Sequence, residues 1–338
     1  MKLCTFEVAT RMGPFRRLGA VTPAGILDLN LACASLLERE GEPQPRRVAD
    51  VLLPADMLEY LRGEQRAAGW ARRALEALPH DERLLYPANE VKLLPPIPNP
   101  ASVRDFYAFE AHVKKGFEKR GEAMPQEWYE IPVYYKSGHH HIIGTDEDVI
   151  WPSFTQKFDY ELELAAVIGK RGRDISAHEA GQYIAGFTIM NDFSARDIQR
   201  QEMKVRLGPA KGKDWCTALG PYLVTPDEVG DPYALDMSAR VNGEIWSQAN
   251  SNSIYWKFEQ MIEFLTRGDS IVPGDVIGSG TVGGGCGLEL DRWVQPGDVI
   301  ELAIEKIGIL RNTVRASPCG GAGRRFPEMP EPSPAGQT

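Results

Sequence analysis

The sequence predicts an α+β protein dominated by β-structure, and three observations carry that expectation. Beyond residue 95, short apolar or alternating runs recur: Glu161–Ile168, Ile184–Met190, Pro221–Val224, Ser238–Val241, Val276–Ile277, Val299–Ile304 and Ile307–Val314. Turn signals such as Asn242-Gly243, Pro273-Gly274-Asp275 and Pro296-Gly297-Asp298 separate them. Helical segments near 107–120, 176–183, 194–204 and 254–267 are too sparse for a chain of alternating βαβ units.

In chain order, Lys2–Val8, Arg17–Val21 and Ile26–Leu29 read as strands, followed by helical segments of which Gly63–Leu78 is the clearest. Residues 1–94 are therefore expected to form a smaller N-terminal accessory domain. Pro95, Pro96, Pro98 and Pro100 then make a stiff connector, because proline continues neither a helix nor a central strand. Residues 95–318 form the larger domain. The Gly- and Pro-rich stretch 319–338 reads as a tail.

Composition narrows the partners. A chain of 338 residues with 43% hydrophobic and 25% charged residues can bury a sizeable core. Its formal charge of −9, with no basic stripe, argues against nucleic acid or an anionic membrane and leaves a small molecule as the expected partner. Five scattered cysteines without a CxxC pair read as reduced thiols. With no apolar signal core in Met1–Glu7, a cytoplasmic location is expected.

The densest chemical signal is Phe158–Gly169, where Glu161 and Glu163 sit two apart in an apolar strand-like run. A strand alternates faces, so both carboxylates share one side and repel unless a cation separates them. The same pattern also fits an edge strand with a solvated acidic face. Asp192 falls where the Ile184–Met190 strand gives way to a helix, for which Ser194 and Asp197 offer a capping-box-like start. Arg196 and Gln199 lie three apart on its first turn, suited to an anionic ligand or to solvent. His112, in a helical segment, is the side chain best matched to proton transfer near neutral pH. Gly278, Gly280 and Gly283 satisfy GxGxxG, but a strand-like Leu288–Trp293 follows instead of a helix, so no dinucleotide site is expected. These glycines instead let the backbone approach a ligand, with Glu289 carried in behind them.

Taken together, the motifs resemble the fumarylacetoacetate hydrolase family. They are Asp105-Phe-Tyr-x4-His112, Asp159-Tyr-Glu161-x-Glu163, Asp192-x-Ser-Ala-Arg196-Asp-Ile-Gln199, Leu207-Gly208-Pro209 with Gly212-Lys213, Gly280-Thr281 and Leu288-Glu289-Leu290. The resemblance spans Asp105 to about Val314 and implies a mixed β-sheet roll, a homodimer, and metal ligation by Asp105, Glu161, Glu163 and Asp192. Four oxygen donors suit Mg²⁺ or Ca²⁺, with Mn²⁺ possible, over Zn²⁺. It further implies that His112 activates water and Glu289 orients it, that Arg196, Gln199 and Lys213 form an oxyanion hole, and that Tyr107, Tyr135 and Thr281 contact substrate.

The implied reaction is hydrolysis of a carbon–carbon bond in a 1,3-diketo acid of the fumarylacetoacetate or acylpyruvate type, in aromatic catabolism. The alternative is a metal-dependent isomerase or decarboxylase of 2-oxo dicarboxylates; Lys115, together with the presence of Asp105 and Glu289, favours hydrolysis. Lys211 is the fallback for Lys213, and Arg120 or Lys136 stands in for an arginine expected at the distal carboxylate. His139-His140-His141 reads as surface histidine and Cys286 as structural.

Overall fold

The computed structural model describes residues 1–317, so the proposed tail at 319–338 lies outside the described residues. A 12-stranded mixed sheet dominates. Its central run is Lys2–Thr10, Thr217–Val224, Ile184–Asp192, Leu162–Ile168, Asp275–Gly278, Ser102–Phe106 and Tyr134–Ser137. Most neighbours are antiparallel, but Asp275–Gly278 runs parallel to Ser102–Phe106. A second, five-stranded sheet contains Asp236–Val241, Glu244–Asn250, Val299–Ile304, Gly308–Arg315 and Asp148–Ile150. The α+β, strand-rich expectation is met.

The Leu162–Ile168 strand explains how the sheet is covered. Every one of its residues is buried, which excludes the exposed acidic edge. Leu162, Leu164, Ala166 and Ile168 enter the larger core with Phe187, Phe258 and Met261. Ala165 and Val167, on the opposite face, join Leu3, Leu27, Leu61 and Ala71 from the N-terminal region. Alternation along one strand thus feeds two cores, and a continuous apolar run is what a strand covered on both faces requires. Glu163 shares a face with Ala165 and Val167.

The proline connector does not divide the sheet. Lys2 and Leu3 pair with Val224 and Leu223, so N-terminal strands extend the same hydrogen-bonded sheet. On the N-terminal side, the helix Leu29–Arg39 is capped by buried Asp28, whose Oδ1 accepts the Leu31 amide at 2.9 Å while Arg17 Nε donates to its Oδ2 at 2.6 Å.

Two local expectations are corrected. Leu288–Trp293 is not a strand: Gly287–Leu290 forms one helical turn, ending at Asp291 with φ 54°. The buried Asp159 carboxylate accepts the Gly287 and Leu288 amides at 2.8 and 3.0 Å, so these amides are taken up at a helix start and not by a neighbouring strand. Ser194 does not cap the next helix either. Ser194–Ala195 pairs with Phe158–Asp159, and Asp197 accepts the Gln156 amide at 2.9 Å, tying down the preceding loop.

Candidate metal and catalytic site

Strand register brings four distant carboxylates to one place. Asp105 pairs with Gly278 across the parallel strands, Leu162 pairs with Asn191, and Asp192 ends its strand beside Thr217. One oxygen each from Asp105, Glu161, Glu163 and Asp192 lies within 4.8 Å of the others, and all four residues are at most 3% exposed. Gly278 has no room for a side chain, because a Cβ there would overlap the Asp105 carboxylate and Met190. Close backbone approach, expected of this glycine run, therefore serves the Asp105 position.

Polar groups surround the cluster. Lys213 Nζ donates to Glu161 Oε2 and Asp192 Oδ2, each at 2.5 Å. Arg196 Nη2 lies 2.8 Å from Glu161 Oε1 and 2.7 Å from Asp159 Oδ2. Arg196 Nη1 also donates to Gln199 Oε1 at 3.1 Å, so the expected shared face of these two residues is present. Tyr135 donates to Asp192, Thr281 Oγ1 to Glu163 Oε1 at 3.3 Å, and the Gly280 amide to Asp105 Oδ1 at 3.2 Å. Lys213, not Lys211, occupies the interior; Lys211 lies over the Phe154 ring.

Electrostatics show how unbalanced this centre is. Among the described residues, Asp105, Asp159, Glu161, Glu163 and Asp192 face two buried cations, Arg196 and Lys213. Burial, then repulsion from Asp192, lifts the Asp105 carboxyl well above its ordinary range. Burial and then Asp105 do the same to Glu163, while burial, offset by Lys213, pushes Asp192 up to about 6. Burial also acts to raise Glu161, but Lys213 and Arg196 outweigh it and hold that carboxyl low. Glu163 Oε2 and Asp192 Oδ1 are buried without a hydrogen-bond partner. Unpaired buried oxygens in an excess of negative charge fit a divalent cation, and an all-oxygen donor set fits Mg²⁺, Mn²⁺ or Ca²⁺.

A second constellation adjoins the first. His112, on the Glu110–Arg120 helix, places Nδ1 2.6 Å from Glu289 Oε1, and Glu289 Oε2 accepts the Gly284 amide at 3.0 Å. Tyr107 meets His112 edge-on with centroids 5.3 Å apart, and burial pushes its phenol up to about 12. His112 is near enough to Glu161 for its charge to favour that carboxylate. Cys286, read from sequence as structural, stands here too, its Sγ donating to Glu289 Oε1 at 3.5 Å.

Arg120 Nε donates to exposed Glu122 at 2.9 Å, yet its charge also acts on the Tyr107 phenol beside His112, so it borders the site; Lys136 is exposed on the Tyr134–Ser137 strand. His139 and His140 contact each other while His141 bonds the Trp215 carbonyl, so the three do not converge. Sequence reasoning gave Asp159 no role. Its carboxylate joins Arg196 to the amides that start the Glu289 helix, and the D-x-E-x-E spacing is the signal that could have pointed to it.

Fold and site together define an α+β sheet-roll enzyme with a buried carboxylate centre beside a His–Glu pair. The model of the fumarylacetoacetate hydrolase C-terminal domain matches residues 101–315, and the chain belongs to the fumarylacetoacetate hydrolase family. It is 32% identical over 316 residues to the mitochondrial oxaloacetate tautomerase FAHD2A of Bos taurus, covering 93% of this chain and 91% of that protein. It is also 32% identical to the oxaloacetate tautomerase YisK of Bacillus subtilis, over 93% of this chain and all of that one. Among solved structures, a fumarylacetoacetate hydrolase from Exiguobacterium antarcticum superposes with TM-score 0.70 at 26% identity, covering 94% of this chain and 99% of the other. No described helix is long and apolar enough to cross a membrane.

Proposed function

We propose that this chain is a divalent-metal-dependent enzyme acting on 2-oxo acids, and that its reaction is proton transfer between carbon and oxygen. This is keto–enol tautomerisation, with oxaloacetate the first candidate substrate. The reading departs from the hydrolysis expected from sequence, because two relatives sharing about a third of their residues with this chain over nearly its whole length are named oxaloacetate tautomerases. The structural observation it is built on is the 2.6 Å contact between His112 Nδ1 and Glu289 Oε1 beside the carboxylate cluster, which supplies the base; the choice of tautomerisation over hydrolysis rests on the relatives.

In this reading Asp105, Glu161, Glu163 and Asp192 hold Mg²⁺, Mn²⁺ or Ca²⁺, whose positive charge favours the enolate form of the 2-oxo group. Glu289 fixes the His112 ring with its proton on Nδ1, leaving Nε2 as the base. His112 removes a proton from the carbon beside the 2-oxo group, the C–H electron pair moves toward oxygen, and the proton returns at oxygen; the opposite direction converts enol to keto. Arg196, Gln199 and Lys213 donate to the developing charge, and Tyr107, Tyr135 and Thr281 position substrate.

Carbon–carbon hydrolysis is the second reading. The same His112–Glu289 pair can activate water in place of a substrate C–H, and the Exiguobacterium antarcticum neighbour is named a fumarylacetoacetate hydrolase. Following enol-oxaloacetate absorbance alongside acid release from acylpyruvates separates the two. Metal-dependent loss of the enol signal without acid release is expected; acid release without faster tautomerisation would replace the first reading by the second. A homodimer is proposed on the family resemblance, and sedimentation at equilibrium measures it.

A further inference from the structure

We propose a second metal site, distinct in chemistry from the carboxylate centre: His112, Cys286 and Glu289 form a three-donor site for Zn²⁺. Zn²⁺ bound there separates His112 from Glu289 and stops turnover. The inhibitory half rests on the catalytic role given to that pair under the proposed function; the binding half does not.

The three ligand atoms lie within 4.8 Å of one another. Cys286 Sγ is 3.5 Å from Glu289 Oε1, and His112 Nδ1 is 2.6 Å from the same oxygen. Zn–N and Zn–O bonds of about 2.0 Å and Zn–S bonds of about 2.3 Å place tetrahedral ligands roughly 3.3–3.5 Å apart. The sulfur–oxygen pair already has that separation, and the nitrogen–oxygen pair has to open by well under 1 Å. One sulfur, one nitrogen and one oxygen donor match the mixed sets that bind Zn²⁺, with water in the fourth position, whereas Mg²⁺ and Ca²⁺ do not take thiolate. The all-oxygen carboxylate centre is the one that Mg²⁺ and Ca²⁺ can occupy, so saturating it with Mg²⁺ leaves the thiolate site to report a softer ion.

The scaffold holds the donors in place. Glu289 Oε2 is fixed by the Gly284 amide at 3.0 Å, and Cys286 bridges to Glu161 across the sheet end. Burial first, and then Asp159, keep the Cys286 thiol protonated in the metal-free protein. Binding therefore breaks the S–H bond, leaves the electron pair on sulfur for the metal and releases the proton to solvent. Asp159, Glu161 and Glu289, whose negative charge opposes a lone thiolate, also favour a dication; Arg196 alone of these neighbours opposes it.

Co²⁺, a spectroscopic substitute for Zn²⁺, tests the site directly. The full-length reduced protein is stripped of metal, saturated with Mg²⁺ and titrated with Co²⁺. One equivalent is expected to produce a thiolate-to-cobalt charge-transfer band, which Zn²⁺ abolishes. Cys286→Ser removes the band, Glu289→Gln weakens Co²⁺ binding at least tenfold, and Glu163→Gln in the carboxylate centre leaves the band in place. Circular dichroism and melting of each variant establish that it is folded. No band in the wild type, or a band that persists in folded Cys286→Ser, overturns the site. In turnover assays Zn²⁺ inhibits the wild type, and Cys286→Ser requires at least tenfold more Zn²⁺. A cobalt band with no Zn²⁺ inhibition keeps the site but overturns the inhibition, and with it the role given to His112.

Discussion

Glu163 shows at the residue scale why this centre suits a cation. It is fully buried, repelled by Asp105, Glu161 and Asp192, and has one oxygen without a partner. Removing its charge relieves the metal-free protein while taking away a ligand. Glu163→Gln is expected to melt no lower than wild type without metal, yet to lose most of the metal-induced rise, which for wild type at a hundred times Kd is worth about 2.7 kcal/mol. A full metal-dependent rise in this variant would remove Glu163 from the ligand set. His112→Ala makes the complementary test: a loss of roughly 10²–10⁴-fold in kcat is expected from removing a general base, with the metal-dependent melting shift kept. Unchanged turnover would remove His112 from the reaction. The residue types of both groups were legible in the sequence; the role of Asp159 was not, because besides Arg196 its partners are the backbone amides of residues 287 and 288.

Among the elements, strand ends and short turns aim the site. Gly280 has φ +78°, a Cβ there would overlap the Phe106 carbonyl, and its amide reaches Asp105. Gly280→Ala is expected to cost about 2 kcal/mol or more in unfolding free energy and to weaken metal binding together with it. Intact metal affinity in a folded variant would separate the turn from the Asp105 position. Far from the site, Asp28 caps the Leu29–Arg39 helix and pairs with Arg17. Asp28→Ala should lower stability by about 3 kcal/mol in denaturant unfolding, because it removes the cap and the carboxylate bonded to Arg17, which keeps the Asn30 Oδ1 contact at 2.9 Å, and should leave kcat unchanged. Element identity was readable wherever an apolar pattern ran long, as in Ile184–Met190, which the structure extends to Asp192. It failed at Leu288–Trp293, where the apolar spacing looked strand-like but a buried carboxylate took the amides into a helical turn.

In the whole molecule, the N-terminal and larger segments share a sheet and a core. Leu3 and Leu27 lie in the same cluster as Ala165, Val167, Met190 and Leu219. A fragment starting at residue 95 would expose that face and an unpaired stretch of the Thr217–Val224 strand, so it should precipitate or bind a hydrophobic dye strongly. A soluble, cooperatively melting fragment would instead support a separable catalytic domain. By itself the sequence determined the β-rich class, the shared face of Glu161 and Glu163, and the hard-donor character of the carboxylates, because these follow from local periodicity and side-chain chemistry. Only the tertiary structure decided that positions 105, 161, 163 and 192 meet, that residue 289 reaches residue 112, and that Cys286 stands beside both. Those contacts join segments up to 177 residues apart, and burial is what turns a set of ordinary acids into a cluster suited to a cation.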